Sequence, residues 1–156
     1  MPGRKRLPDE RKSVTHKFKI GLGTEDEMEG FVTVGLYPDG SPGELYITLA
    51  KKGSALAAIT DCWAWAISLL LQHGVPIDDI IAKAKGWRFE PAGRTANAAI
   101  PTALSVVDYI ARWMEARFTG GTSLPVRAGI FCPDCGGECA MQEGCEKCLA
   151  CGWSKC

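Results

Sequence analysis

The sequence has no net charge: 18 Lys and Arg balance 18 Asp and Glu over 156 residues. The molecule as a whole therefore has no field to steer it toward nucleic acid or an anionic membrane. No secretory leader is expected, because the basic residues of MPGRKRLPDERKS have no apolar stretch behind them. It has no apolar run of bilayer length. The longest, Ala55–Leu71, contains Asp61 and is shorter than the roughly 20 residues a span requires. Histidine is scarce: His16 falls on the apolar face of a strand and His73 near a helix end, and neither has sequence neighbours suggesting catalysis. There is no internal repeat. These absences predict a cytoplasmic protein with no membrane span and no nucleic-acid partner.

What is plentiful is cysteine, and its distribution is uneven. Seven of the eight lie between Cys132 and Cys156, and Cys62 stands alone. Without secretion, such a cluster points to metal binding or thiol redox chemistry rather than a disulfide framework. The 46% apolar composition argues for a real core. Four segments follow: a basic arm at 1–13, a domain at 14–118, a Gly/Ser/Thr/Pro-rich linker at 119–129 and a cysteine-rich tail at 130–156. The arm belongs to a stretch, 1–20, with seven Lys or Arg against two acids. Its mixed signs make it a poor nucleic-acid patch.

Within the domain, VTHKFKI (14–20) alternates as a half-buried strand, with Val14, His16, Phe18 and Ile20 on one face. GFVTVGLY (30–37) and ELYITLA (44–50) form a hairpin across PDGSPG, with Val32, Val34 and Leu36 matched to Leu45, Ile47 and Leu49. The period then lengthens. Leu56, Ile59, Trp63, Ile67 and Leu70 predict a helix capped by Ser54 and stopped by Gly74. A short helix is expected over 75–86, starting after Pro76, with Asp78 and Asp79 at its start. A third is expected over 102–118, with Leu104, Val107, Ile110 and Met114 on one side. The fold class is α+β: an antiparallel sheet of about three strands packed with about three helices, followed by a four-cysteine zinc ribbon.

FCPDCGG and CLACGW are two copies of C-x2-C-G. A tight turn between two cysteines aims both thiolates at one cation, and the glycine permits the backbone twist that turns amides toward sulfur. Two such turns supply a tetrahedral shell for zinc from Cys132, Cys135, Cys148 and Cys151. A second partition, Cys132, Cys135, Cys145 and Cys148, has the same spacing. It would release Cys151 and Cys156 as a terminal C-x4-C dithiol able to exchange with another disulfide. Under the first partition Cys139, Cys145 and Cys156 are left over. Four-thiolate sites also take iron, and zinc is expected here. Cys62, beside Trp63 in a helix, is expected to be a buried, inert thiol. In RFEPAGRT (88–95), Arg88 and Arg94 are expected in internal ion pairs with Glu90 and Asp108, with phosphate binding as the alternative.

The order RLPDERKSVTHKFKIG, EGFVTVGLYPDGSPGELYITLAKKGS, LLLQHGVPIDDII, RFEPAGRT, SVVDYIARWM closely resembles the C-terminal region of adenosylcobalamin-dependent, class II ribonucleotide reductases. That region is recognised as the TSCPD domain, and a cysteine-rich tail like this one follows it in many of them. The resemblance runs from about Arg6 to Cys156 and is strongest in the hairpin, the RFEP-G-T loop and the paired C-x2-C motifs. The literal TSCPD string is replaced by IFCPD. The family's large α/β barrel, with its radical cysteine and its cobalamin and nucleotide sites, has no counterpart here, so no substrate or cobalamin residue is carried over.

The resemblance implies a component of a reductase rather than a complete enzyme. Adenosylcobalamin would enter only through a catalytic partner chain. C-terminal cysteines of the family re-reduce the active-site disulfide and are themselves reduced by thioredoxin or glutaredoxin, and Cys151 and Cys156 match that pair in position and spacing. The resemblance then implies Cys145 as the completing metal ligand. The rival expectation is a non-catalytic zinc-ribbon module that contacts a reductase or nucleic acid. Against its nucleic-acid form, the tail from Gly129 onward holds four acids and two lysines. A free-standing thioredoxin-like enzyme ranks last, because no βαβ setting surrounds these cysteines.

Overall fold

The computed structural model describes residues 3–120, 132–137, 139–142 and 145–155; the expected linker at 119–129 and the terminal Cys156 lie wholly or largely outside them. Three strands, β1 (Ser13–Ile20), β2 (Met28–Leu36) and β3 (Pro42–Leu49), form an antiparallel sheet in sequential order. Alternation sets the register: Val32 opposes His16 and Ile47, and Val34 opposes Val14 and Leu45. The inner face, from Phe18 and Ile20 to Leu45 and Ile47, is buried. The outer face is exposed and mixes Phe31 and Tyr46 with polar pairs, Lys17 and Lys19 on Glu29 at 2.9 and 3.2 Å and Thr15 on Thr33 at 3.0 Å. One glycine in this sheet is dictated by space. A Cβ at Gly30 would stand 2.7 Å from the Phe18 ring and 2.9 Å from the Thr48 carbonyl oxygen.

Two helices cover the inner face. α3 (Val106–Phe118) lies across β1, where Tyr109 and Trp113 stack on His16 and Tyr109 meets Phe18. α1 (Ala55–Gln72) lies across β3. The short α2 (Ile77–Ala84) packs on α3 and adds Ile80 and Ile81 to the core. Ser54 caps α1, accepting from the Ala57 amide at 3.1 Å.

α1 is rotated from the face its spacing predicts. Thr60, Ala64, Ile67, Leu71 and Gln72 are buried, whereas Ile59 and Leu70 are exposed and Cys62 is an exposed thiol, not a buried one. The cause is β3, an edge strand with unpaired backbone groups. Ser68 Oγ accepts from the Leu45 amide at 2.8 Å, and Gln72 donates to the Gly43 carbonyl at 3.0 Å. α1 is apolar all round, so these polar bonds choose its inner face. By length and composition α1 is also able to cross a membrane.

The basic arm is folded down onto this edge. Arg4 donates to Gln72 at 2.6 Å, the Lys5 amide donates to the Gln72 carbonyl at 2.8 Å, and Arg11 forks onto the buried Glu44 carboxylate.

Between α2 and α3 the chain is more ordered than the sequence predicts. β4 (Gly93–Arg94) pairs with β5 (Thr102–Ala103), so α3 starts four residues later than expected, at Val106, behind a Ser105 cap. Asp108 does not pair with Arg94. It is fully buried, accepts from the Gly86 and Leu104 amides at 2.8 and 3.0 Å, and holds Arg112 at 3.2 Å. The tail forms its own small sheet from β6 (Cys139–Gln142), β7 (Cys145–Cys148) and β8 (Ser154–Lys155).

Candidate metal centre

The two C-x2-C-G motifs fold into matching turns. In the first, the Cys132 amide donates to the Gly137 carbonyl at 2.9 Å and the Gly136 amide to the Cys132 carbonyl at 2.8 Å. In the second, the Cys148 amide donates to the Trp153 carbonyl at 2.7 Å and the Gly152 amide to the Cys148 carbonyl at 3.1 Å. Gly136 and Gly152 take the positive φ values, 67° and 80°, that each turn needs. Each turn also aims an amide at sulfur: Gly137 at Cys135 Sγ and Ala150 at Cys148 Sγ, both at 3.4 Å.

These turns bring together the thiols of Cys132, Cys135, Cys148 and Cys151, all within 4.8 Å of one another. Cys132 and Cys151 are 3.6 Å apart, and Cys135 and Cys148 3.4 Å. Zinc bound to four sulfurs at about 2.3 Å sets its ligands about 3.8 Å apart. The residues present fit such an ion. Cys132 and Cys148 are buried, Cys135 is half-buried and Cys151 faces solvent, while Trp153 packs against the cluster.

Strand geometry separates Cys145 from this group. Cys145 and Cys148 are three apart on β7, and odd spacings on a strand point to opposite faces. Cys148 and Cys151 are also three apart, but across a turn, and they converge. Cys145 is disulfide-bonded, and its partner lies outside the described residues. Cys139, opposite Cys148 across β6 and β7, is a buried free thiol. The relay expected of Cys151 and Cys156 has one member in the thiol cluster and the other outside the described residues.

Neighbouring thiols in the cluster are held at very different pKa values. The Cys151 amide favours the Cys148 thiolate, whose pKa is lowered to about 6 against the penalty of burial. The Trp153 amide favours the Cys151 thiolate too. The neighbouring Cys135, Cys132 and Cys148 and desolvation outweigh it, and Cys151 is raised to about 12. Burial pushes Cys132 up. One thiolate in so small a cluster suppresses the next. A divalent ion held among them would allow all four to ionise.

Arg88 was not legible as part of this centre. Among the described residues it forms no ion pair with Glu90, whose carboxylate instead accepts from the Ala92 amide at 3.0 Å. Its guanidinium lies beside Cys135.

Residues 3–118 match the model of the TSCPD domain family. Similar proteins include three named vitamin B12-dependent ribonucleotide reductase. That of Rhodopirellula baltica is 51% identical over 77% of this chain and 11% of its own length. That of Streptomyces avermitilis is 40% identical over 75% and 12%, respectively. That of Agrobacterium fabrum is 33% identical over 97% and 12%, so its match includes the cysteine-rich tail. The chain thus spans about one-ninth of the curated relatives it matches. No solved structure matches it.

Proposed function

The chain belongs to the TSCPD domain family, and from that membership we propose that it serves a cytoplasmic vitamin B12-dependent ribonucleotide reductase, docking on the catalytic portion and relaying electrons to it. The observation that carries the reading is the 51% identity, over 77% of this chain, to 11% of a reductase. In this reading the catalytic portion supplies the adenosylcobalamin and the nucleotide site, and reduces ribonucleotides to deoxyribonucleotides.

Docking is supported by the outer face of α1. Ile59 is 67% exposed, Trp65 64% and Leu70 42%, and Ala58, Cys62 and Ala66 lie between them. An apolar groove of about 490 Å³, lined by Trp63, Ile67, Leu70, Ile80, Trp87 and Phe89, continues that face. A helix apolar on all sides is suited to burial on all sides.

The metal we assign is zinc, held by Cys132, Cys135, Cys148 and Cys151, which it would keep as a rigid base for the tail. A relay through Cys151 and Cys156 takes one thiolate out of that shell, so the reading places the cycling disulfide on Cys145. Reduced to two thiols, that pair gives two electrons and two protons to an active-site disulfide of the catalytic portion and closes to a disulfide. Thioredoxin or glutaredoxin then returns it to the dithiol.

The test is reconstitution with the catalytic portion of the Rhodopirellula baltica reductase prepared without the stretch matching this chain. Pre-reduced, that portion should complete a single turnover alone, which shows it is folded. Continuous turnover with thioredoxin should require this chain, and Cys145→Ser should abolish it while Cys151→Ser loses zinc. Continuous turnover without the chain, or no effect of adding it, refutes the proposal.

A further inference from the structure

The ribbon and the α+β domain meet at one place that neither the metal site nor docking requires. Gly136, in the first metal turn, sits on Gly93: a Cβ there would stand 2.9 Å from the Gly93 Cα and 3.4 Å from its nitrogen. This is backbone against backbone, possible because position 136 carries no Cβ. Beside it, a Cβ at Gly137 would be 3.0 Å from Arg88 Nη1 and 3.1 Å from Cys135 Sγ. The guanidinium and the sulfur thus flank a single backbone position.

The mount of Arg88 is fixed on both sides. Ser105 Oγ donates to the Trp87 carbonyl at 2.7 Å, and the Phe89 amide donates to the Leu104 carbonyl at 3.1 Å. Gly86 is held by Asp108. Glu90, the nearest acid in sequence, is turned into its own loop. Nothing in that arrangement is needed to bind a metal, since the four thiols converge without it. What it adds is charge. Four thiolates around a divalent ion carry a net charge of about −2, and such a cluster is stabilised by a hydrogen-bonding cation in its outer shell.

We infer that Arg88 is a positioning residue for the metal centre: its guanidinium clamps the thiol cluster at Cys135 and so seats the ribbon on the 88–94 loop. The inference rests on the metal reading alone and does not depend on the electron relay.

The experiment uses the full chain loaded with zinc, together with Arg88→Ala and Arg88→Lys. Zinc affinity is read by competition with a chromogenic chelator, ligand identity by the absorption of the cobalt-substituted protein, and seating by hydrogen exchange over residues 88–94. Arg88→Ala should weaken zinc binding by about 10- to 100-fold and expose 88–94 to exchange even with metal present. The tetrathiolate cobalt spectrum should stay in place, and Arg88→Lys should recover part of both losses. Wild-type zinc affinity in Arg88→Ala, or unchanged exchange over 88–94 in that variant, overturns the inference. A wild-type chain that binds no metal overturns the metal reading itself.

Discussion

Replacing Asp108 with Asn tests whether one buried carboxylate holds the segment that carries Arg88. The side chain is fully buried and accepts three hydrogen bonds. Gly86 and Arg112 share Oδ1, at 2.8 and 3.2 Å, and Leu104 uses Oδ2 at 3.0 Å. Those two amides stand at the ends of the stretch from Gly86 to Leu104, so a single residue ties both. Asn keeps the shape but has one accepting atom, and its amino group must face a donor whichever way it turns. A buried donor without a partner costs about 1–3 kcal/mol. Loss of the charge-assisted bond to Arg112, which is partly exposed, adds at most about 1 kcal/mol. The expected loss is therefore about 1–4 kcal/mol, or a fall in Tm of roughly 10 °C for a domain of this size. Thermal unfolding followed by far-ultraviolet circular dichroism measures it, with Arg112→Ala as the control that should cost less. A change below about 0.5 kcal/mol would refute the reasoning, because substitutions without a buried consequence fall in that range.

Three other outcomes are expected. Gly30→Ala should destabilise by about 1–3 kcal/mol, as overpacking does, because its Cβ meets the Phe18 ring at 2.7 Å; a neutral result in urea unfolding would show that Phe18 can move aside. His16, whose pKa burial lowers below its ordinary 6.5, should make stability pH-dependent. The unfolded state binds the proton first, so stability is full above pH 6.5 and falls as pH drops below that value toward the folded pKa, levelling out beneath it. His16→Gln should flatten that slope, and an unchanged slope would assign it to other groups. Chelating the metal should raise the thiol titre by the four cluster cysteines while the α+β domain keeps its Tm; a titre that does not change on chelation would mean no thiols were engaged.

The sheet was readable because one of its faces is wet. Val32 and Val34 alternate with Thr33, and Leu45 and Ile47 with Tyr46, so a period of two fixes both the strands and their register. α1 was misread for the opposite reason. Its circumference is nearly all apolar, so three/four spacing selects no face, and the polar Ser68 and Gln72 decide it by reaching the β3 edge. The start of α3 was recoverable from Ser105-x-x-Asp108, an N-cap followed by an acid at the capping-box position. The metal thiols were legible through the repeated C-x2-C-G, since each glycine has a conformational duty that the motif exposes. Arg88 was not. Its partner is set by the approach of Gly136 to Gly93, a tertiary event that no local pattern records.

The competing cysteine partitions are separated by secondary structure rather than by spacing. C-x2-C at 145–148 and at 148–151 are the same string, yet the first lies within β7 and the second crosses a turn. A strand carries residues three apart to opposite faces, while a turn folds them toward one point. Cys148 belongs to both strings and can face only one way. Amides at Ala150 and Cys151 turn toward its sulfur, which ties it to the second. Cys145 thereby lies on the opposite face of β7 from the thiol cluster. On the proposed reading, zinc binding and thiol redox coexist in one short tail because Cys145 lies on the far side of β7 from the four cluster thiols.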